Sequence, residues 1–170
     1  MAYRRRAIFV VTAGLIAAWL LQPMAAFADR AFQRFLPLFV DLDGWQGKKP
    51  DGMTMETPGN AMTTATRDYT RGTSQLHAAV VTGAAAAGAM APMQAGMTYE
   101  TTEGHMITAT VNGFKVMKTY NTAQKSGAFM VALGPAALLT VSYNGITEDE
   151  ALPLAQKFDW KALQAAAQQK

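Results

Sequence analysis

The sequence predicts an α+β domain, an antiparallel β-sheet with helices packed on it and a helix at the C-terminus, on three observations. From Ala61 onward apolar residues recur at every second position in short runs, the period of a half-buried strand. Those runs are separated by turn residues: Gly72, Asn112 with Gly113, Gly134 with Pro135, and Asn144 with Gly145. The last stretch changes to helical spacing behind Thr147 and Glu150, which stand three apart as in a capping box. Strands grouped together and followed by helices make an α+β arrangement rather than alternating βαβ units.

Each element follows in order. Residues 31–40 are apolar but broken by Pro37, and predict a brief helix or an extended leader. Asp41, Leu42, Asp43, Gly44 and Trp45 form a turn into the domain, and residues 47–60 are irregular except for a short strand at 53–56. Residues 61–70 and 74–82 form a hairpin around Arg71, Gly72 and Thr73. Its second strand puts Leu76, Ala78 and Val80 on one face and His77 on the other, less buried one. Residues 83–97, made of Ala, Gly and Met with Pro92 inside, predict a loose crossover helix. No charge occurs between Ala78 and Tyr99, but alanine, glycine and proline give too little apolar area for insertion in a bilayer.

Beyond the crossover, Asn112-Gly113 joins strands 106–111 and 114–120, and Gly134-Pro135 separates 128–133 from 137–143, so four successive strands form a meander. Ile107, Ala109 and Val111, and likewise Phe129, Val131 and Leu133, mark core faces. The terminal helix carries Ala151, Ala155, Phe158 and Leu163 inward, and Pro153 fits it best in a first turn capped by Asp149.

The amino terminus has a different character. Arg4, Arg5 and Arg6 precede an uncharged stretch from Ala7 to Leu21, and Ala26, Phe27 and Ala28 follow as an A-x-A site. Residues 1–28 therefore predict a secretory signal cleaved before Asp29, leaving residues 29–170 as a single domain in the periplasm or outside the cell. The apolar stretch is shorter than the roughly 20 residues that span a bilayer, so no stable membrane span is expected after processing. Arg5 and Arg6 fit either the general or the twin-arginine export route.

That segment holds three of the chain's 15 basic residues and none of its 12 acidic ones. The net charge of +3 thus belongs to the signal, and the balanced remainder argues against a nucleic-acid partner. With no cysteine, neither a disulfide framework nor a lipidated cysteine can hold or anchor the chain.

Short motifs run through most of residues 29–170: Gly44-Trp45, then Tyr69, Arg71 and Gly72, then Gly113-Phe114, then 128–134 as Ala-Phe-Met-Val-Ala-Leu-Gly. In these and in their order the chain resembles a group of small uncharacterised exported bacterial proteins. The order of elements is also similar to the α+β sandwich of the PsbP and Mog1 type, and that resemblance implies an accessory or binding role and carries over no functional residue.

Catalytic chemistry has few candidates. His77 and His105 are the histidines, and Ser74, Ser126 and Ser142, the hydroxyls a serine hydrolase would use, lie outside any Gly-x-Ser-x-Gly elbow. Asp41 with Asp43 lacks the later ligands of a calcium loop, and Glu148, Asp149 and Glu150 stand where the dipole of a helix N-terminus favours negative charge. No catalytic residue, metal site or cofactor is therefore assigned.

Methionine is the more informative residue type. Met90, Met93 and Met97 share one face if their segment is helical, and with Trp45 they form the expected binding residues, meeting a protein partner or a small apolar ligand. The sequence thus predicts a non-enzymatic binding or accessory protein. The first alternative is a periplasmic Cu(I) carrier, because thioethers are soft ligands and His105 and Met106 could join such a site, and a hydrolase comes third. Packing is the third use of the same side chains.

Overall fold

The computed structural model describes residues 31–58 and 60–169, so the expected signal at residues 1–28 and the cleavage before Asp29 lie outside the described residues. Nine strands form one antiparallel sheet: β1 (Gln46–Gly47), β2 (Asp51–Thr57), β3 (Asn60–Arg71), β4 (Ser74–Gly83), β5 (Tyr99–Thr101), β6 (Gly104–Val111), β7 (Phe114–Asn121), β8 (Ser126–Gly134) and β9 (Ala137–Asn144). The helices are α1 (Ala84–Ala89), α2 (Ala91–Gln94), α3 (Glu148–Ala155) and α4 (Trp160–Gln168). Among the described residues no helix is long and apolar enough to cross a membrane.

The expected hairpin and meander are both present, and β4 pairs with β9, which joins them. From that seam the order runs outward through β3 on one side and through β8, β7, β6 and β5 on the other. β1 and β2 pair with successive parts of β3 and form one edge, making the sheet larger than the hairpin and meander alone. At the β6–β7 turn Asn112 and Gly113 both take positive φ, 51° and 83°, as a two-residue turn matched to strand twist requires.

Alternation then divides the side chains between two faces. On one, Leu76, Ala78, Val80, Val116, Phe129, Val131, Leu133, Leu139 and Val141 are buried together with Phe158, Trp160 and Leu163 from the C-terminal segment and Phe35, Phe39 and Leu42 from the leader. Phe129, Val131 and Leu133 are fully buried, as their phase predicts. Ile107, Ala109 and Val111 are only half-buried, because β6 lies one strand from the sheet's edge.

The leader, with a 3-10 turn at Leu36–Leu38, is held chiefly by one largely covered cation. Arg67 bonds the Asp41 carboxylate and donates to the Phe39 carbonyl at 2.6 Å and the Lys48 carbonyl at 2.8 Å. Gly47 leaves room beside it, since a Cβ there would stand 2.5 Å from the guanidinium and push it aside. Tyr69 donates to the Val40 carbonyl at 2.8 Å, and burial pushes its hydroxyl pKa up to about 12. Arg34, near the start of the leader, donates to the Gln169 carbonyl at 2.6 Å.

The single C-terminal helix expected from spacing is two. Thr147, not Asp149, caps α3: it accepts from the Glu150 N–H, and the Glu150 side chain reaches back to the Thr147 N–H at 3.1 Å. Pro153 lies inside α3 at the loss of one ladder bond. Asp159 then starts α4 by accepting from Ala162 at 2.9 Å, and Trp160 donates to the Ala155 carbonyl at 2.9 Å, which fixes the corner.

Candidate functional site

The crossover segment packs on the opposite face. Pro92 lacks the N–H that would continue α1 and instead opens α2, so Met90 ends one helix and Met93 belongs to the next. Met90 and Met93 are 1% and 0% exposed in a second core with Ala86, Met117 and Leu138, against which Met106 and Met130 also pack. Met97 lies beyond α2 and is 53% exposed. The three methionines therefore do not share one helical face. Trp45 is buried as well, with the Arg71 guanidinium 4.6 Å from its ring. Of the four residues expected to meet a ligand, Met97 alone is exposed.

Titratable groups gather in two other places. On the packed face, Glu148, the first residue of α3, accepts from Lys118 Nζ at 2.6 Å and lies 2.6 Å from His105 Nε2. All three side chains are largely covered. The Tyr120 ring is 6.0 Å from His105 and stacks on Tyr143, whose own ring stacks on Phe129. Among the described residues the buried Tyr143 hydroxyl has no hydrogen-bond partner, and burial, followed by the charge of Glu148, pushes its pKa above the ordinary tyrosine range. Gly127 makes room for that ring, for a Cβ would stand 2.5 Å from the hydroxyl. Because both oxygens of Glu148 are engaged at a helix N-terminus, this group clamps α3 to β6 and β7.

The second gathering is on the other face, where α1 and α2 cover only one end. Cross-strand register sets Asp68, His77, Ser142, Ala128 and Thr119 in one row over β3, β4, β9, β8 and β7. Asp68 Oδ1 is 2.7 Å from His77 Nδ1, and Lys48 reaches Asp68 Oδ2 at 3.3 Å. The His77 hydrogen bond, ahead of Lys48, holds the Asp68 carboxyl below the usual carboxylate range. His77 is exposed, as its strand phase predicts. Among the described residues its Nε2 and the Ser142 hydroxyl make no hydrogen bond, to one another or to a third group.

Acid, imidazole and hydroxyl thus stand in the order of a nucleophile relay, but the link from imidazole to hydroxyl is not made. The neighbouring backbone N–H groups belong to sheet ladders and cannot form an oxyanion hole. At the far end of the row, where the sheet ends, lies a groove of about 630 Å³ lined by Tyr99, Thr101, Glu103, Met106, Thr119, Asn121 and Ser126 and also by His105 and Tyr120 from the packed face. Its polar groups are partly committed to turns: Thr101 donates to the Gly104 carbonyl and Asn121 accepts from Gln124. Tyr99 is 56% exposed beside them.

Sequence reasoning missed both gatherings. His105 and Glu148 are 43 residues apart, and only the register of β6 with β7 and the docking of α3 bring them together. Among the described residues no three His, Cys, Asp or Glu side chains are placed to hold a metal ion. Compared with protein-family models, with curated proteins and with solved structures, the chain matches none.

Proposed function

We propose that this chain is an exported binding or accessory protein, working in the periplasm or outside the cell, whose ligand or partner engages the uncovered half of the sheet. The observation that carries this reading is the row from Asp68 to Thr119 with its groove: a polar sheet surface bearing free hydrogen-bonding groups at His77 and Ser142 and an exposed aromatic at Tyr99. Concave placement, a lining rich in hydroxyl and amide groups and the unmade relay favour binding over turnover. The experiment is amide shift mapping of isotope-labelled protein against a fragment library. Shifts concentrated at residues 66–68, 77, 99–106, 119–128 and 142 are expected, and His77→Ala with Tyr99→Ala should remove them; fragments collecting only around Phe158 and Trp160 would sink the reading.

A Cu(I) carrier is the second reading, favoured by the convergence of Met90, Met93, Met106, Met117 and Met130 in one cluster. Titration of the protein against a competing Cu(I) chelator tests it. One tightly bound equivalent, lost when Met90, Met93 and Met117 are all changed to leucine, would place the carrier reading first.

A further inference from the structure

The edge formed by β2 has an unusual composition. β2 pairs with β3 on one side, and among the described residues no strand pairs with its other side. Met53 and Met55 are 51% and 49% exposed there, and both point to the half-open face. Sheet edges are ordinarily protected by charge, bulges or proline within the strand. Here Pro50 and Pro58 stand just outside the strand, and its register with β3 runs without a bulge from Asp51 to Thr57. The result is a regular, open edge with an apolar pair at its centre.

Its sequence is complementary to itself when reversed. Met53-Thr54-Met55 is symmetric about Thr54, so an antiparallel copy centred there sets each methionine opposite the other copy's methionine. Glu56 then faces Gly52, and no carboxylate faces a carboxylate. A parallel alignment would instead put Asp51 beside Asp51 and Glu56 beside Glu56, which is repulsive. Slipping the antiparallel register by one residue turns one copy over and sends the two methionine pairs to opposite faces. We propose that two copies of this chain associate edge to edge through β2, antiparallel and two-fold about Thr54, extending the sheet and covering four methionines in one patch. Such an interface is isologous and closed, so it stops at two. Its area is that of one strand pairing, which makes the dimer dependent on concentration.

Sedimentation velocity over a dilution series from millimolar to micromolar protein is the test. The apparent mass should fall from that of a dimer to that of a monomer, and the double change Met53→Lys with Met55→Lys should give a monomer throughout while leaving the melting curve in place, because both side chains are exposed. The absence of cysteine supplies an independent probe: Thr54→Cys should oxidise to a symmetric disulfide dimer faster than Met97→Cys, although Met97 is the more exposed of the two and lies away from the edge. A wild-type chain that stays monomeric at the highest concentration overturns the proposal. So does a dimer indifferent to the lysines, or one in which the two cysteines cross-link at the same rate.

Discussion

Every interior strand contributes to both faces of the sheet, but the two faces are filled by different chemistry. One carries aromatic and branched side chains interlocked in T-shaped and stacked pairs, with Phe158 set against both Phe39 and Tyr69 and Trp160 against Phe114. The other is small, hydroxylated and partly open, and its single buried patch is closed by methionines. Branched and aromatic side chains have few rotamers and specify a unique fit; unbranched thioethers fill whatever gap remains. The first face therefore defines the fold, while the second can vary its surface without undoing it.

The sharpest test of that contrast is Phe129→Ala on the packed face, which should cost about 3–5 kcal/mol of stability, read from the denaturant midpoint. A loss no larger than that of a surface change would mean the aromatic stack with Tyr143 does not specify the core. On the other face the counterpart is Met90, Met93 and Met117 changed together to leucine. Volume is nearly conserved and the site adapts, so the cost should stay within about 1.5 kcal/mol in the same assay. A larger cost would erase the distinction between the two cores.

Next in size is the fastening of α3 over the packed face. Thr147→Ala removes one side of the capping box and should lower stability by about 1 kcal/mol, with amide exchange accelerating first at residues 148–151. Smallest is the pair on the open face. Asp68 titrates low in the folded chain, so its stabilising contribution is present above the ordinary carboxylate pKa and disappears as pH falls through the lowered folded value. Both partners are about half exposed, so solvent screening holds the contribution under about 0.5 kcal/mol. In His77→Ala the carbon-detected Asp68 midpoint should move up toward the ordinary range, and an unmoved midpoint would show that His77 is not its main partner.

How much of this was legible in the sequence depends on the range of the interaction concerned. The Asn112-Gly113 hairpin, the phase of Phe129, Val131 and Leu133 and the Thr147-Glu150 box are local, and each follows from residues a few positions apart. The helical face of Met90, Met93 and Met97 failed because it assumed one continuous helix through Pro92, where proline starts a new one. Trp45 looked like an exposed loop anchor, yet β1 pairs with the end of β3 and so sets Trp45 under Arg71. Nothing local announced Arg67 as the leader's anchor or joined His105 to Glu148, which meet only once the leader and α3 dock on the sheet. Asp68 and His77 face one another within the expected hairpin, but their contact needs its exact register, and Ser142 joins their row only because β4 adjoins β9.

The hydrogen bond from Arg34 to Gln169 ties together residues 135 positions apart, and the core beneath it needs Phe35 from one end of the chain and Trp160 and Leu163 from the other. A ribosome delivers those pieces in order, the first long before the last. Until α4 emerges, the packed face lacks Trp160 and Leu163, and Phe35 waits for neighbours that are the last to be made. The core is thus sealed from both sides of the sequence at once, and a truncation before α4 removes its cover however complete the sheet beneath it.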